Sequence, residues 1–317
     1  MRNELIIAAL IAFFISIVLG PVILPILRKI KAGQTEREDG PESHLKKTGT
    51  PTMGAFIYLI SGFLVCAFKI KSYPDMIPTL LLTFGFMLIG FLDDFIKVVL
   101  KRSLGLRAWQ KFSLQIVFAL AYALYIKVNS PELFDMVIPF TQKTVNFGWL
   151  SIPAVIFIIV GTVNGSNFTD GVDGLETSVT SALLAFFIFA SIGVSESVGM
   201  ISSIFLGALL GFLMFNVNKA KVFMGDTGSL ALGALVCGLA FSLKLPLYLP
   251  VIALIYFAEV LSVIMQVLYF KATKGKRIFK MTPIHHHFEL SGWSEPKVVA
   301  VFATVTLVLG AFVLLFI

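Results

Sequence analysis

Charge is scarce in this chain. Only 14% of its 317 residues are Asp, Glu, Lys or Arg, against 57% hydrophobic. A soluble domain cannot cover its surface with so little charge, so the composition excludes that class and indicates a polytopic membrane protein. Cysteine is nearly absent as well. Cys66 and Cys237 both sit inside apolar runs, which excludes a disulfide framework and leaves two inert buried thiols as the expectation. No cleavable leader is expected: the first apolar run, 5–27, is too long for a signal-peptide core and no small-residue cleavage site follows it, so it is expected to stay as a span. There is no evident internal repeat and no separate soluble region, and a single transmembrane domain over 1–317 is expected. The net charge of +7 does not call for nucleic acid, because an excess of Lys and Arg in such a chain goes with basic loops facing anionic lipid.

Long hydrophobic runs are what the chain has instead. They fall at about 5–27, 53–68, 77–92, 112–126, 149–163, 177–194, 198–217, 229–243, 245–270 and 298–317, and they predict an all-α fold of about ten transmembrane helices. Several runs are nearer 15 than the roughly 20 residues that cross a bilayer, so their ends must draw on polar flanks or on neighbouring helices. Short helices that are polar at one end are what a membrane-embedded cleft produces. Lys and Arg concentrate in and beside the odd-numbered connections, from Arg28 and Lys29 through Lys97, Lys101 and Arg107 to Lys274, Lys276 and Arg277. The positive-inside rule then places those connections in the cytoplasm and both termini outside. The outer segment 127–148 alternates apolar residues with turn formers, and a small hairpin or interfacial element fits it.

The polar chemistry falls where the runs end. Asp93 and Asp94 stand side by side at the close of the third run, with Lys97 and Lys101 just beyond. Adjacent carboxylates repel, and pushing one into lipid costs roughly 2.5–3.5 kcal/mol even on the lenient insertion scale, so a metal or a basic clamp is expected to hold them. After the fifth run comes NGSNFTDGVDGL at 164–175, where three glycines let a backbone approach a ligand. Asn167, Asp170 and Asp173 there offer oxygens to a metal or hydrogen bonds to a ribose or base. Turn and cap duty accounts for one of these acids but not both. After the seventh run, beyond Asn216, the stretch Gly225-Asp226-Thr227-Gly228-Ser229 precedes an apolar run and reads as a helix N-terminus. Its free N–H groups suit phosphate and Asp226 suits Mg²⁺, with a plain N-cap as the alternative.

His285, His286 and His287 follow the ninth run. Three consecutive histidines on one helical turn cannot all face one ion and no cysteine lies near, so zinc gives way to phosphate hydrogen bonding. Lys46 and Lys47, close to Gly49 and Thr52, are placed to clamp a diphosphate, although positive-inside alone accounts for lysines there. Glu259, the one acid inside the ninth run, reads equally as a functional group or as a buried hydrogen-bonding partner. All these clusters share one parity, hence one membrane face. Carboxylates, lysines, histidines and glycine-rich turns converging there describe a site for Mg²⁺ and a phosphorylated substrate.

In order along the chain stand KTGTPTMG at 47–54, DDFIK at 93–97, NFTDGVDGL at 167–175, VFMGDTGSL at 222–230 and TPIHHHFE at 282–289. This series resembles the phospho-N-acetylmuramoyl-pentapeptide transferase family, a branch of the polyprenyl-phosphate N-acetylhexosamine-1-phosphate transferases. The aspartate motifs mark the wider family. The PIHHHFE run is similar to the muramoyl branch, since relatives that use UDP-GlcNAc carry a different histidine pattern. The resemblance implies transfer of phospho-MurNAc-pentapeptide from UDP-MurNAc-pentapeptide to undecaprenyl phosphate with Mg²⁺, forming lipid I and releasing UMP. It implies a bacterial plasma-membrane enzyme whose site faces the cytoplasm.

By the same resemblance Asp226 is the Mg²⁺ ligand, with Asp93 and Asp94 as further candidates, and Asp93 or Asp94 positions or deprotonates the lipid phosphate. Asn167, Asp170, Gly171, Asp173 and Phe223 map to the nucleoside side, Phe223 as a stacking face for uracil. Lys47, Lys97, Lys111, Asn216 and His285 map around the diphosphate, and Thr52, His286 and His287 join the substrate-binding positions. The implied partners are the two substrates and membrane lipid; nucleic acid is not expected, and a homodimer is left open. Direct attack by the lipid phosphate and a covalent aspartyl-phosphate route both stay open. Two other readings compete. One is a UDP-GlcNAc:polyprenyl-phosphate GlcNAc-1-phosphate transferase, against which the histidine pattern speaks. The other is a membrane transporter, which would hold its ionisable groups near the bilayer midplane rather than at one face.

Overall fold

The computed structural model describes residues 2–30, 49–101, 105–141 and 143–317. The Lys47 expectation therefore lies outside the described residues. Helices α1 (Arg2–Lys29), α2 (Phe56–Lys69), α3 (Ile77–Val98) and α4 (Ala108–Asn129) come first. A hairpin of β1 (Met136–Val137) and β2 (Thr144–Val145) then leads to α5 (Ser151–Thr169), α6 (Leu175–Ala190), α7 (Glu196–Asn216) and α8 (Gly225–Ser242). The chain closes with α9 (Leu249–Ile252), α10 (Leu254–Ala272), α11 (Ile284–Glu289) and α12 (Glu295–Val313). Among the described residues, eight helices are long and apolar enough to cross a membrane, and α2 and α6 are shorter apolar helices. In lipid every backbone N–H and C=O must be satisfied inside its own segment, and a helix does that. The protein is an all-α polytopic membrane protein.

The centre of the bundle is α8, in which every residue from Thr227 to Phe241 is buried. Small residues let its neighbours approach closely, which substitutes for the hydrophobic drive that lipid removes. A Cβ at Gly233 would come 2.7 Å from the Cα of Val163 on α5, and one at Gly238 would come 2.7 Å from Cγ2 of Thr79 on α3. The outermost helix shows the opposite pattern. On α1, Ala8, Ala12, Ser16 and Gly20 recur every fourth residue and are buried, while Ile7, Phe14 and Val18 lie exposed on the other side, where lipid belongs.

Helices overrun their apolar runs at one end. The third run stops at 92, but α3 continues through Asp93, Asp94 and Lys97 to Val98; the fifth stops at 163, but α5 continues through Asn164 and Asn167 to Thr169. These polar residues, expected in connections, are in the last turns of helices. Charge did not end the helices because each group finds partners on neighbouring elements. The ninth run is also split: Pro250 falls in α9, and the helix resumes as α10 after Ala253, which sits outside the helical region at φ −102°, ψ 35°. The hairpin expected within 127–148 is present, pairing Met136 with Val145 and Val137 with Thr144. Val137 N–H donates to the Lys244 carbonyl and Phe140 N–H to the Tyr248 hydroxyl, both at 2.8 Å. The hairpin thus closes the end of α8 remote from Gly225.

Candidate active site

At the other end, the start of α8 meets the ends of α3 and α5. Asp94, buried on α3, accepts from the Thr227 N–H at 2.8 Å, the Thr227 hydroxyl at 2.6 Å and the Asp226 N–H at 3.2 Å. It caps α8 from a different helix, satisfying first-turn N–H groups that have no partner within α8. That frees Asp226 from cap duty. Its carboxylate instead receives Lys97 Nζ at 2.7 Å, Lys111 Nζ at 3.0 Å and the Asn167 amide at 2.7 Å. Asp93, one residue before the cap, accepts from Lys97, one helical turn on, and from the Leu106 N–H at 2.7 Å.

Each of these groups is held by a second layer. Lys111 Nζ also reaches Asn167 Oδ1 at 3.3 Å, and one turn along the same faces Gln115 and Asn164 form a reciprocal amide pair at 2.7 and 3.4 Å. Asn167 further donates to Ser229 Oγ at 2.7 Å. The start of α8 requires glycine: Gly225 has φ +74°, and a Cβ there would come 2.6 Å from both Asp94 Oδ2 and Thr52 Oγ1. Buried Thr52 therefore lines the same junction.

The turn between α5 and α6 lies alongside. Burial first, then the charges of Glu176, Asp226 and Asp94, hold the Asp170 carboxyl well above its ordinary range, while the Gly225 N–H pulls it down. Asp173 accepts from the Ala220 N–H at 2.9 Å, tying this turn to the segment before α8. Phe223 sits in that segment, its backbone paired to Pro51 and Gly54 at 2.8 Å and its ring half-buried. Asn216, expected around a diphosphate, is buried with both ends of its amide used, accepting from Thr177 at 2.7 Å and donating to the Val222 carbonyl at 3.0 Å. It braces the segment that carries Phe223.

The histidines part company on α11. His285 is buried against Gly171 and Glu259. His286 pairs with Glu289 at 2.8 Å. His287 turns to the basic connection, accepting from the Lys280 N–H at 3.1 Å with its ring on Phe279. Two groups of metal-competent side chains occur among the described residues, Asp93 with Asp94 and Asp226, and His285 with His286 and Glu289; in each the ligand atoms lie within 4.8 Å of one another. The first is the better divalent-cation site on donor chemistry: its oxygens suit Mg²⁺, and the Lys97 ammonium already bridges Asp93 and Asp226 in the place a cation takes.

One set of residues was missed by sequence reasoning. Glu176 Oε1 accepts from Tyr256 at 2.7 Å and Thr180 at 2.8 Å, and the Ser166 hydroxyl lies 2.6 Å from both Glu176 Oε1 and the Ser229 carbonyl, sharing its one proton between them. This wholly buried carboxyl stitches α5, α6, α8 and α10 together behind Asn167. The available signal was an acid one residue before an apolar run.

Clustered acids, lysines and an asparagine at helix ends, on a bundle of membrane-length helices, define a membrane-embedded transferase acting on phosphorylated groups. Residues 76–244 match the model of glycosyl transferase family 4. The chain is 49% identical over 310 residues to the phospho-N-acetylmuramoyl-pentapeptide-transferase of Clostridioides difficile (strain 630), covering 97% of this chain and 96% of that protein. It is 47% identical over 304 residues to the protein of that name from Acetivibrio thermocellus, covering 95% and 91%. With that from Caldanaerobacter subterraneus subsp. tengcongensis it shares 48% identity over 310 residues, covering 97% of each. The chain belongs to the phospho-N-acetylmuramoyl-pentapeptide-transferase family.

Proposed function

We propose that the protein transfers phospho-MurNAc-pentapeptide from UDP-MurNAc-pentapeptide to undecaprenyl phosphate. An oxygen of the lipid phosphate attacks the sugar-bearing phosphorus, the bond to the UMP oxygen breaks, and UMP leaves with the electron pair, giving lipid I. One pyrophosphate linkage replaces another, so the task is mainly to neutralise charge and align the attack. The observation that carries this reading is the cluster of Asp93, Asp94 and Asp226 with Lys97 and Lys111 at one end of the bundle.

Residue roles follow from their bonds. Asp226, with Asp93 beside it, would hold Mg²⁺, which when bound supplies positive charge against the diphosphate. Asp94 is occupied by three donors from α8, so of the adjacent acids Asp93 is the one available to position or deprotonate the lipid phosphate. Lys97 and Lys111 exchange carboxylate for diphosphate oxygens, a geometry already met by their contacts to Asp226. Asn167, Asp170, Gly171 and Asp173 form the nucleoside side with the half-exposed Phe223 ring as the uracil face, and Thr52 supports them through Gly225. Of the three histidines on α11, His285 faces the Asp170–Gly171 turn, and His286 and His287 are assigned to substrate binding by the family resemblance alone, as is Lys47 to the diphosphate. One catalytic domain spans 1–317, in the bacterial plasma membrane with the cleft facing the cytoplasm.

The test is UMP release by purified protein in detergent with polyprenyl phosphate, Mg²⁺ and either UDP-MurNAc-pentapeptide or UDP-GlcNAc. Release from the muramoyl donor alone, stopped by EDTA and restored by added Mg²⁺, supports the assignment. Release from UDP-GlcNAc alone would move the protein to the other branch, and release from neither would overturn the transferase reading.

A further inference from the structure

Two fully buried ionisable side chains meet where α11 packs on α10. Glu259 Oε1 lies 3.1 Å from His285 Nδ1, and Glu259 Oε2 accepts from the His285 backbone N–H at 3.4 Å; both residues are 0% exposed. A carboxylate at membrane depth is costly unless partnered, and here both its oxygens are spent on one residue. The other ring nitrogen of His285 is different. Nε2 is buried and has no hydrogen-bond partner among the described residues. It abuts the acidic turn, where a Cβ at Gly171 would come 2.3 Å from Nε2 and 2.5 Å from Cε1. Glycine at 171 is what leaves that nitrogen its place.

A buried polar atom left without a partner is costly. A histidine whose one nitrogen is pinned by a carboxylate presents the other, in a known tautomer, to whatever occupies the site. We propose that Glu259 is the positioning residue for His285: by accepting Nδ1–H it holds the ring so that Nε2 faces the Asp170–Gly171 turn, where a polar group of the bound nucleotide-sugar diphosphate completes the missing hydrogen bond. The substrate class rests on the transferase reading above; the hold of Glu259 on His285 does not. In Glu259→Gln the amide oxygen must take the His285 backbone N–H, which leaves the amide NH₂ facing Nδ1 and moves the ring proton to Nε2.

The experiment combines a spectrum with kinetics on the full chain in detergent. With ring-¹⁵N histidine, the wild type should show His285 protonated at Nδ1, and Glu259→Gln should show the proton at Nε2. Turnover of the muramoyl donor by Glu259→Gln should fall about 10- to 100-fold, by analogy with carboxylates that orient metal-binding histidines, with the thermal transition close to wild type and partial recovery in Glu259→Asp. Gly171→Ala, which presses on Nε2 from the other side with the Glu259 pair intact, should lower turnover similarly. An unchanged tautomer and unchanged turnover in Glu259→Gln would overturn the proposal. If the wild type releases no UMP from any donor, the transferase reading fails, while the tautomer measurement still decides whether Glu259 sets the ring.

Discussion

Asp94 and Asp226 carry the same side chain within a few ångströms and do different work, because their partners differ. Asp94 is filled by donors from the first turn of α8, whereas Asp226 is filled by two ammonium groups and an amide. Removing the first strands buried N–H groups, so Asp94→Ala should destabilise the protein by about 1–3 kcal/mol, seen as an earlier thermal transition in detergent. Asp226→Asn keeps the shape of the side chain but turns one of its two acceptor oxygens into an NH₂ that cannot accept from Lys97, Lys111 or Asn167. Its transition should fall less than that of Asp94→Ala, while UMP release falls by about 10²–10³-fold, the usual loss when a site's electrostatic stabiliser is removed. Equal loss of stability in both variants would mean that Asp226 is structural too.

Between helices, close approach decides. A Cβ at Gly90 on α3 would fall 2.1 Å from the Asp226 carbonyl oxygen and 2.6 Å from the Thr227 backbone nitrogen. Gly90→Ala must therefore push the start of α8 away from Asp94, lowering both stability and turnover. Gly161 on α5 has nothing within 4 Å of its would-be Cβ among the described residues. Gly161→Ala should leave turnover unchanged and gain up to about 1 kcal/mol from helix propensity; parallel melting curves and UMP assays on the two variants check both statements. This contrast also marks where the sequence was legible. Helix existence was readable, because a run of apolar residues can satisfy its backbone in lipid in few other ways. The acids, lysines and glycines of the site were readable as clusters at run ends. Helix ends were not: Asp93, Asp94, Asn164 and Asn167 looked like connection residues, and only partners on α4, on α8 and, for Asp93, at Lys97 and the Leu106 N–H let the helices carry them. Glu176 stayed hidden for the same reason, since Ser166, Thr180 and Tyr256 reach it from three separate places in the chain.

Among the described residues, the carboxylate clusters and the basic stretch after α10 share one end of the bundle, and the β1–β2 hairpin with Lys244 marks the other. The positive-inside rule predicts that the end bearing Lys274, Lys276 and Arg277 is cytoplasmic. The two native cysteines are buried, so the wild type should be silent to a maleimide that cannot cross the bilayer, and single exposed cysteines can report sidedness. Lys143, beside β2, and Lys274, after α10, are both exposed. Lys143→Cys should label in right-side-out vesicles, and Lys274→Cys only in inside-out ones. The reversed pattern would place the carboxylate cluster on the outer face, out of reach of a soluble nucleotide-sugar made inside the cell, and would overturn the orientation while leaving the bundle intact. Labelling of both from the same side would instead break the odd–even parity that brings Asp93, Asp170, Asp226 and His285 to one membrane face, and with it the shared cleft.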